Sequence, residues 1–227
     1  MNWLRRVREA PATWTLIFAN LAVYAWMVVS SHQLSGFDDA TMTFAGANIV
    51  GTSQAVSRWR LLTAAFVHFN LLHIAANMVS LSRIGVISEI IVGARLLIPV
   101  YVVTGVLGNV ASTVFYGLRH QATHSAGASG AIMGMVGLVA AVAWRTGNRT
   151  VTRDLLINGA FLIVLGMFLS FDNAAHVGGF VSGAAIGLLR MRRRAPLPRA
   201  LETSLTAAAA LATIASFAII RAYRGFH

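Results

Sequence analysis

Residues 70–93 read NLLHIAANMVSLSRIGVISEIIVG. A helix needs about 20 mostly apolar residues to cross the hydrocarbon core of a bilayer, and this stretch supplies them. It also carries His73 and Asn77, which at a spacing of four share one helix face. Such side chains are costly in lipid unless they face protein or a water-filled cavity. The stretch therefore reads as a membrane helix packed inside a bundle. Its apolar character continues upstream to Leu61, too far for one span. Residues 61–69 are expected to form an interfacial segment or loop, with the helix proper running from about Asn70 to Ile91.

The rest of the chain has the same character. Of 227 residues, 57% are hydrophobic and 11% charged, against about a quarter charged in a soluble domain; the mean hydropathy is +0.70. Further apolar runs at about 13–31, 94–117, 127–144, 154–171, 174–190 and 203–222 bring the expected spans to seven. The fold class is all-α, a polytopic membrane helix bundle. The first run follows Arg5, Arg6 and Arg8, yet it is long enough to span and reads as an uncleaved helix.

All 18 basic residues are arginines, against 7 acidic residues, for a net charge of +11. They lie between apolar runs and form no single soluble patch. This argues against nucleic acid and for topology and lipid headgroups. With the N-terminus inside, only Arg58, Arg60, Arg119, Arg221 and Arg224 fall outside. The positive-inside rule thus predicts a cytoplasmic N-terminus and an outer C-terminus, in a membrane expected to be a bacterial cell membrane. Arg83 falls within its span and has to snorkel or find a partner. The expected organisation is a cytoplasmic segment at 1–12, a membrane core at 13–190, a basic inner linker at 191–202, and a seventh helix with a short outer tail at 203–227. The chain has no cysteine, which excludes disulfides, thiolate metal sites and a cysteine nucleophile.

Spans two, four and six all start at the outer face, and the polar residues cluster at those starts. They are His68, His73 and Asn77; Gly127-Ala128-Ser129-Gly130; and Asp172-Asn173-Ala174-Ala175-His176. At about 1.5 Å per residue, His73, Asn77, Ser129 and His176 can share one layer. Gly130, Gly134 and Gly137 on span four and Gly179, Gly183 and Gly187 on span six allow close helix approach, which would bring Ser129 to His176. A neutral histidine within reach can take the serine proton as attack proceeds and return it to the leaving amine. Asn77, His73 and the Ser129 backbone N–H are candidate donors to an oxyanion, with Gly127 grouped beside them. Asp172 has no established contact with His176, so a Ser–His dyad is favoured over a triad. Ser125 is a rival nucleophile.

These motifs resemble the rhomboid intramembrane serine proteases. Trp59-Arg60 resembles the family's loop Trp-Arg. His68-x4-His73-x3-Asn77 and Gly85-x3-Glu89-x3-Gly93 resemble its next signatures. Gly127-Ala128-Ser129-Gly130 resembles its nucleophile motif, and Ala175-His176-x2-Gly179-x3-Gly183 its base motif. The resemblance spans about Trp59 to Gly187. It implies a six-helix core, here with a C-terminal seventh helix, Ser129 as nucleophile, His176 as general base, and an oxyanion site at His73, Asn77 and Ser129. The position four after the nucleophile, often aromatic in the family, is Met133 here; methionine can fill that space.

The implied reaction is hydrolysis of a peptide bond in or near the transmembrane segment of a single-pass membrane protein. The partners expected are such substrates and membrane lipids, with no cofactor and no metal; the oligomeric state is open. The alternative is an inactive binder of membrane helices, like the family's non-catalytic relatives. A transporter is disfavoured by the lack of an internal repeat. The bland readings make His68 a helix-entrance cap or lipid-phosphate ligand, Trp59-Arg60 an interface anchor, and Glu89 a partner for backbone or Arg83.

Overall fold

The structure, a computed structural model, describes residues 9–51, 57–168, 172–192 and 195–223. Arg5, Arg6 and Arg8, the basis of the N-terminal orientation reading, lie outside the described residues. The elements are α1 (Pro11–Ser31), α2 (Asp39–Ala45), β1 (Asn48–Val50), α3 (Arg60–Thr63), α4 (Leu71–Val92), α5 (Ala94–Leu118), β2 (Thr123–Ser125), α6 (Ser129–Arg145), α7 (Arg149–Phe168), α8 (Asn173–Arg192) and α9 (Arg199–Tyr223). The fold is a polytopic membrane helix bundle.

Among the described residues, five helices are long and apolar enough to cross a membrane: α1, α4, α5, α8 and α9. The other two expected spans are α6 and α7. Helix α6 has 17 residues, about 25 Å at the usual rise, which is short of a hydrocarbon core of about 30 Å. Helix α7 opens on Arg149, Arg153 and Asp154, so its first turns are polar. Helix α6 sits at the centre, packed on α4, α5, α7 and α8, and most of its residues are buried. The polar layer gathers at the start of this short, buried central helix.

The Gly85-x3-Glu89-x3-Gly93 motif fastens three helices. Helix α1 begins with Ala10 at its N-cap, which provides no side-chain cap, so its first N–H groups lack partners of their own. Buried Glu89 supplies the acceptor from α4. Its carboxylate takes the Ala12 N–H at 3.1 Å, the Thr13 N–H at 2.8 Å and the Thr13 hydroxyl at 2.7 Å. A negative charge there also complements the helix dipole. One turn earlier, a Cβ at Gly85 would lie 2.8 Å from the Thr13 methyl, so glycine lets α1 come close. Gly93, at φ +86°, turns the chain from α4 into α5.

Two features of the loops after α1 and α5 were not expected. Asp38 caps the short α2, its carboxylate accepting from the Thr41 N–H at 2.7 Å. Strands β1 and β2 pair antiparallel, with Asn48 opposite Ser125, Ile49 opposite His124 and Val50 opposite Thr123. Helix α9 lies along α5, where the Thr206 hydroxyl donates to the Arg95 carbonyl. Its far end packs on the outer segment: Phe217 meets Phe66 edge-on at 6.2 Å, and buried Ile220 lies against Gly46.

Replacing Glu89 with Ala leaves the start of α1 without its acceptor. The expected outcome is a loss of about 2–4 kcal/mol of stability, read as a lower midpoint in detergent unfolding, with Glu89→Gln losing less.

Candidate active site

The site is built on a stretch of chain that is not helical. Such backbone is tolerated in a membrane protein only when its polar groups find partners inside the protein. From α3 to the start of α4, two of those partners are side chains of α5. The Tyr101 hydroxyl donates to the Ala65 carbonyl at 2.6 Å, and Asn109 Nδ2 to the Leu61 carbonyl at 2.8 Å. Thr63 donates to Gly46 O at 2.7 Å. Arg60 Nη1 donates to Thr43 O at 2.6 Å and Ala47 O at 3.0 Å, with its guanidinium 4.4 Å over the Trp59 ring. Trp59-Arg60 is thus an internal clasp on the outer loop.

The segment in turn holds the approach to α6. The Gly127 N–H donates to Ala64 O at 2.9 Å. Fully buried His68 receives the Ala128 N–H on Nε2 at 3.4 Å, while its Nδ1 faces the Phe66 carbonyl at 3.1 Å. A carbonyl can only accept and an N–H can only donate, so His68 is neutral with its proton on Nδ1. It is a brace for the loop, neither a helix-entrance cap nor a phosphate ligand.

Gly127 has φ +125°, a conformation that favours glycine. A Cβ there would lie 2.7 Å from His73 Cε1, 2.8 Å from His73 Nε2 and 3.7 Å from Asn77 Nδ2. His73 and Asn77 therefore converge on the backbone two residues before Ser129. The His73 ring stacks on Phe69 at 5.8 Å and meets His68 edge-on at 5.1 Å. Asn77 donates to His73 O at 3.1 Å, and Asn70 caps α4 through the His73 N–H at 2.8 Å.

Ser129 is the first residue of α6, where backbone N–H groups have no intrahelical acceptor. His176 stands one turn into α8, and its Nε2 lies 2.9 Å from Ser129 Oγ. Glycines bring the two helices together. A Cβ at Gly179 would strike the Gly130 carbonyl, one at Gly183 the Gly134 carbonyl, and one at Gly187 would lie 2.7 Å from Leu138 O. From the other side, a Cβ at Gly137 would strike Phe180 O. Gly134 departs from the simple two-helix reading: its own Cβ direction points at Thr104 of α5. It thus makes room for two neighbours. Met133 is buried, with its methyl beside Gly159 of α7.

Asp172 is occupied elsewhere. Its carboxylate accepts from the Ala175 N–H at 2.9 Å and the Ser112 hydroxyl at 2.5 Å, and also from Ser125. Ser125 is buried and shares Asn109 Oδ1 at 3.4 Å, so the rival nucleophile is committed to structure. The α5 residues Tyr101, Thr104, Asn109 and Ser112 were not singled out from the sequence. Their spacing of three to five within an apolar run was the available signal. Among the described residues, no group of three or more metal-ligating side chains converges.

Residues 55–193, more than half of the chain, match the Rhomboid domain. The chain belongs to the rhomboid family. The match runs from just before α3 to the end of α8, leaving α1 and α9 outside it. The chain is 31% identical over 199 residues to Rhomboid protease GlpG of Photorhabdus laumondii, an alignment covering 83% of this chain and 64% of that protein. It is 29% identical over 185 residues to Rhomboid protease GluP of Bacillus subtilis, covering 78% and 35%. It is 28% identical over 200 residues to Rhomboid protease AarA of Providencia stuartii, covering 78% and 71%. The chain therefore spans less than two thirds of the length of the first two.

Gly183→Ala would force α8 away from the Gly134 carbonyl. A loss of about 1–3 kcal/mol of stability is expected from the overpacking, with slower labelling of Ser129 by a fluorophosphonate probe. Unchanged stability and labelling would show that the helix contact does not set the site.

Proposed function

We propose that this rhomboid-family protein is an intramembrane serine endopeptidase. It would hydrolyse a peptide bond in or near the transmembrane segment of single-pass membrane proteins. The observation that carries the reading is the 2.9 Å approach of Ser129 Oγ to His176 Nε2, beside the His73 and Asn77 side chains gathered at Gly127. The proposed setting is a bacterial cell membrane with the N-terminus inside.

In this mechanism His176 begins neutral, with Nε2 unprotonated. As Ser129 Oγ attacks the scissile carbonyl carbon, its proton passes to Nε2. The carbonyl oxygen becomes an oxyanion, for which the Ser129 N–H, the Asn77 amide and the His73 ring are the proposed donors. The C–N bond breaks, the imidazolium gives its proton to the leaving amine, and an acyl-enzyme remains. Water then enters, His176 accepts its proton, and the ester is hydrolysed through the same oxyanion site. The polar layer at the start of α6 gives water a route that the bundle centre would not. A substrate helix has its carbonyls hydrogen-bonded and shielded, so it has to unwind locally, which favours small or helix-breaking residues near the cut.

The test is co-expression with a tagged single-pass protein. Ser129→Ala and His176→Ala are each expected to lower cleavage by about six orders of magnitude while the protein still accumulates. Cleavage that persists in Ser129→Ala would sink the nucleophile assignment; no cleavage of any substrate panel by the wild type would favour a non-catalytic binder. Asn77→Ala is expected to reduce turnover about 100- to 1,000-fold, mostly in kcat, since an oxyanion donor acts in the transition state.

A further inference from the structure

At the end of α6 opposite Ser129, the α6–α7 hairpin forms an open cleft of about 400 Å³, lined by Trp144, Arg149, Thr152, Arg153, Leu156 and Ile157. Its volume falls in the range of small-ligand sites, about 300–1,000 Å³. We propose that this cleft binds a single anionic phospholipid, held by its phosphate. The proposal does not depend on the protease reading.

The chemistry is graded along α7. Arg149 and Arg153 are four apart and share one face. Arginine presents a planar fork of donors that matches phosphate oxygens in pairs. Leu156 and Ile157 follow one turn deeper, where acyl chains begin. Across the hairpin, Trp144 is 61% exposed and Ile157 is 59% exposed. An exposed tryptophan with an apolar body and one N–H suits the depth between headgroups and chains. The Thr152 hydroxyl is already given to the Asn148 carbonyl at 2.9 Å, so it adds only its methyl to the wall. Arg153 Nη2 also contacts Asp154 at 3.2 Å, with both side chains exposed. An exposed pair of this kind is worth little, so the guanidinium can turn to a phosphate. Residues 144–154 hold three arginines and this one aspartate, and the excess positive charge selects an anionic over a zwitterionic lipid. Arg95, Arg190, Arg192 and Arg199 lie at the same end of the bundle and add a broad field, but they do not line the cleft.

That distinction supplies the experiment. The full chain, purified in detergent, is mixed with phosphatidylglycerol, phosphatidylcholine or glycerol phosphate, and retained ligand is counted by native mass spectrometry. One phosphatidylglycerol per chain is expected to survive, with retention of phosphatidylcholine and glycerol phosphate at least fivefold lower. The double variant R149Q/R153Q is expected to lose at least fivefold of the retained lipid. R190Q/R192Q removes the same charge at the same end and is expected to stay within twofold of the parent. Ile157→Gln, which leaves the charge unchanged, is expected to weaken retention as well. Equal losses in the two arginine doubles would overturn the proposal in favour of a diffuse basic surface. Full competition by glycerol phosphate would overturn it in favour of a free-phosphate site.

Discussion

Gly179 and Gly183 of α8 press on the backbone carbonyls of Gly130 and Gly134 in α6, and the rest of the site is measured from that contact. Lipid offers no hydrophobic drive to bring helices together, so membrane helices associate through close packing and interhelical polar contacts. At the glycines the two backbones touch with no side chain between them. One residue before Gly130 stands Ser129, and three before Gly179 stands His176. Their 2.9 Å separation follows from a contact made by residues that have no chemistry of their own. The same contact restricts α6 on its other side, where Gly134 faces Thr104 of α5.

A second constraint shapes everything that is not helix. The chain leading into α4 and α6 is irregular, and inside a membrane protein each of its polar groups needs a partner. The segment before α4 accepts from Tyr101 and Asn109 of α5, gives Thr63 and Arg60 as donors to the Gly46 and Thr43 carbonyls, and passes support to the loop before α6 through Ala64 and His68. Phe217 of α9 packs on Phe66 in the middle of this segment. The seventh helix is therefore in contact with the scaffold of the site while remaining remote from Ser129 itself.

How much of this was legible follows from the range of the signals. Apolar run length placed the helices to within a few residues, because span length is a local property; the helix expected from about Asn70 to Ile91 runs from Leu71 to Val92. Ser129, His176, His73 and Asn77 stood out because polar groups are rare in such runs. The glycines of α8 were readable as a close-approach face. The double duty of Gly134 was not, because a spacing of four does not say which neighbour each Cα–H meets. Strands of three residues and a seven-residue helix leave too little pattern to read. The partners of Glu89, Arg60 and Asp172 are far away in sequence and depend on the fold.

Asp172 shows why proximity in sequence is a poor guide to a catalytic triad. It precedes His176 by one turn, the place to seek an orienting carboxylate, and stands at the start of α8. That position already satisfies another requirement. The first turn of α8 needs an acceptor, and Asp172 provides one to Ala175 while its other oxygen collects Ser112 and Ser125. A carboxylate so engaged links α5, β2 and α8 at the rim of the site. It acts on His176 by fixing where α8 begins, through the same backbone that donates the His176 N–H to the Asp172 carbonyl at 3.1 Å. The register of α8 against α6, fixed at the glycine contact, then sets where the imidazole stands relative to Ser129.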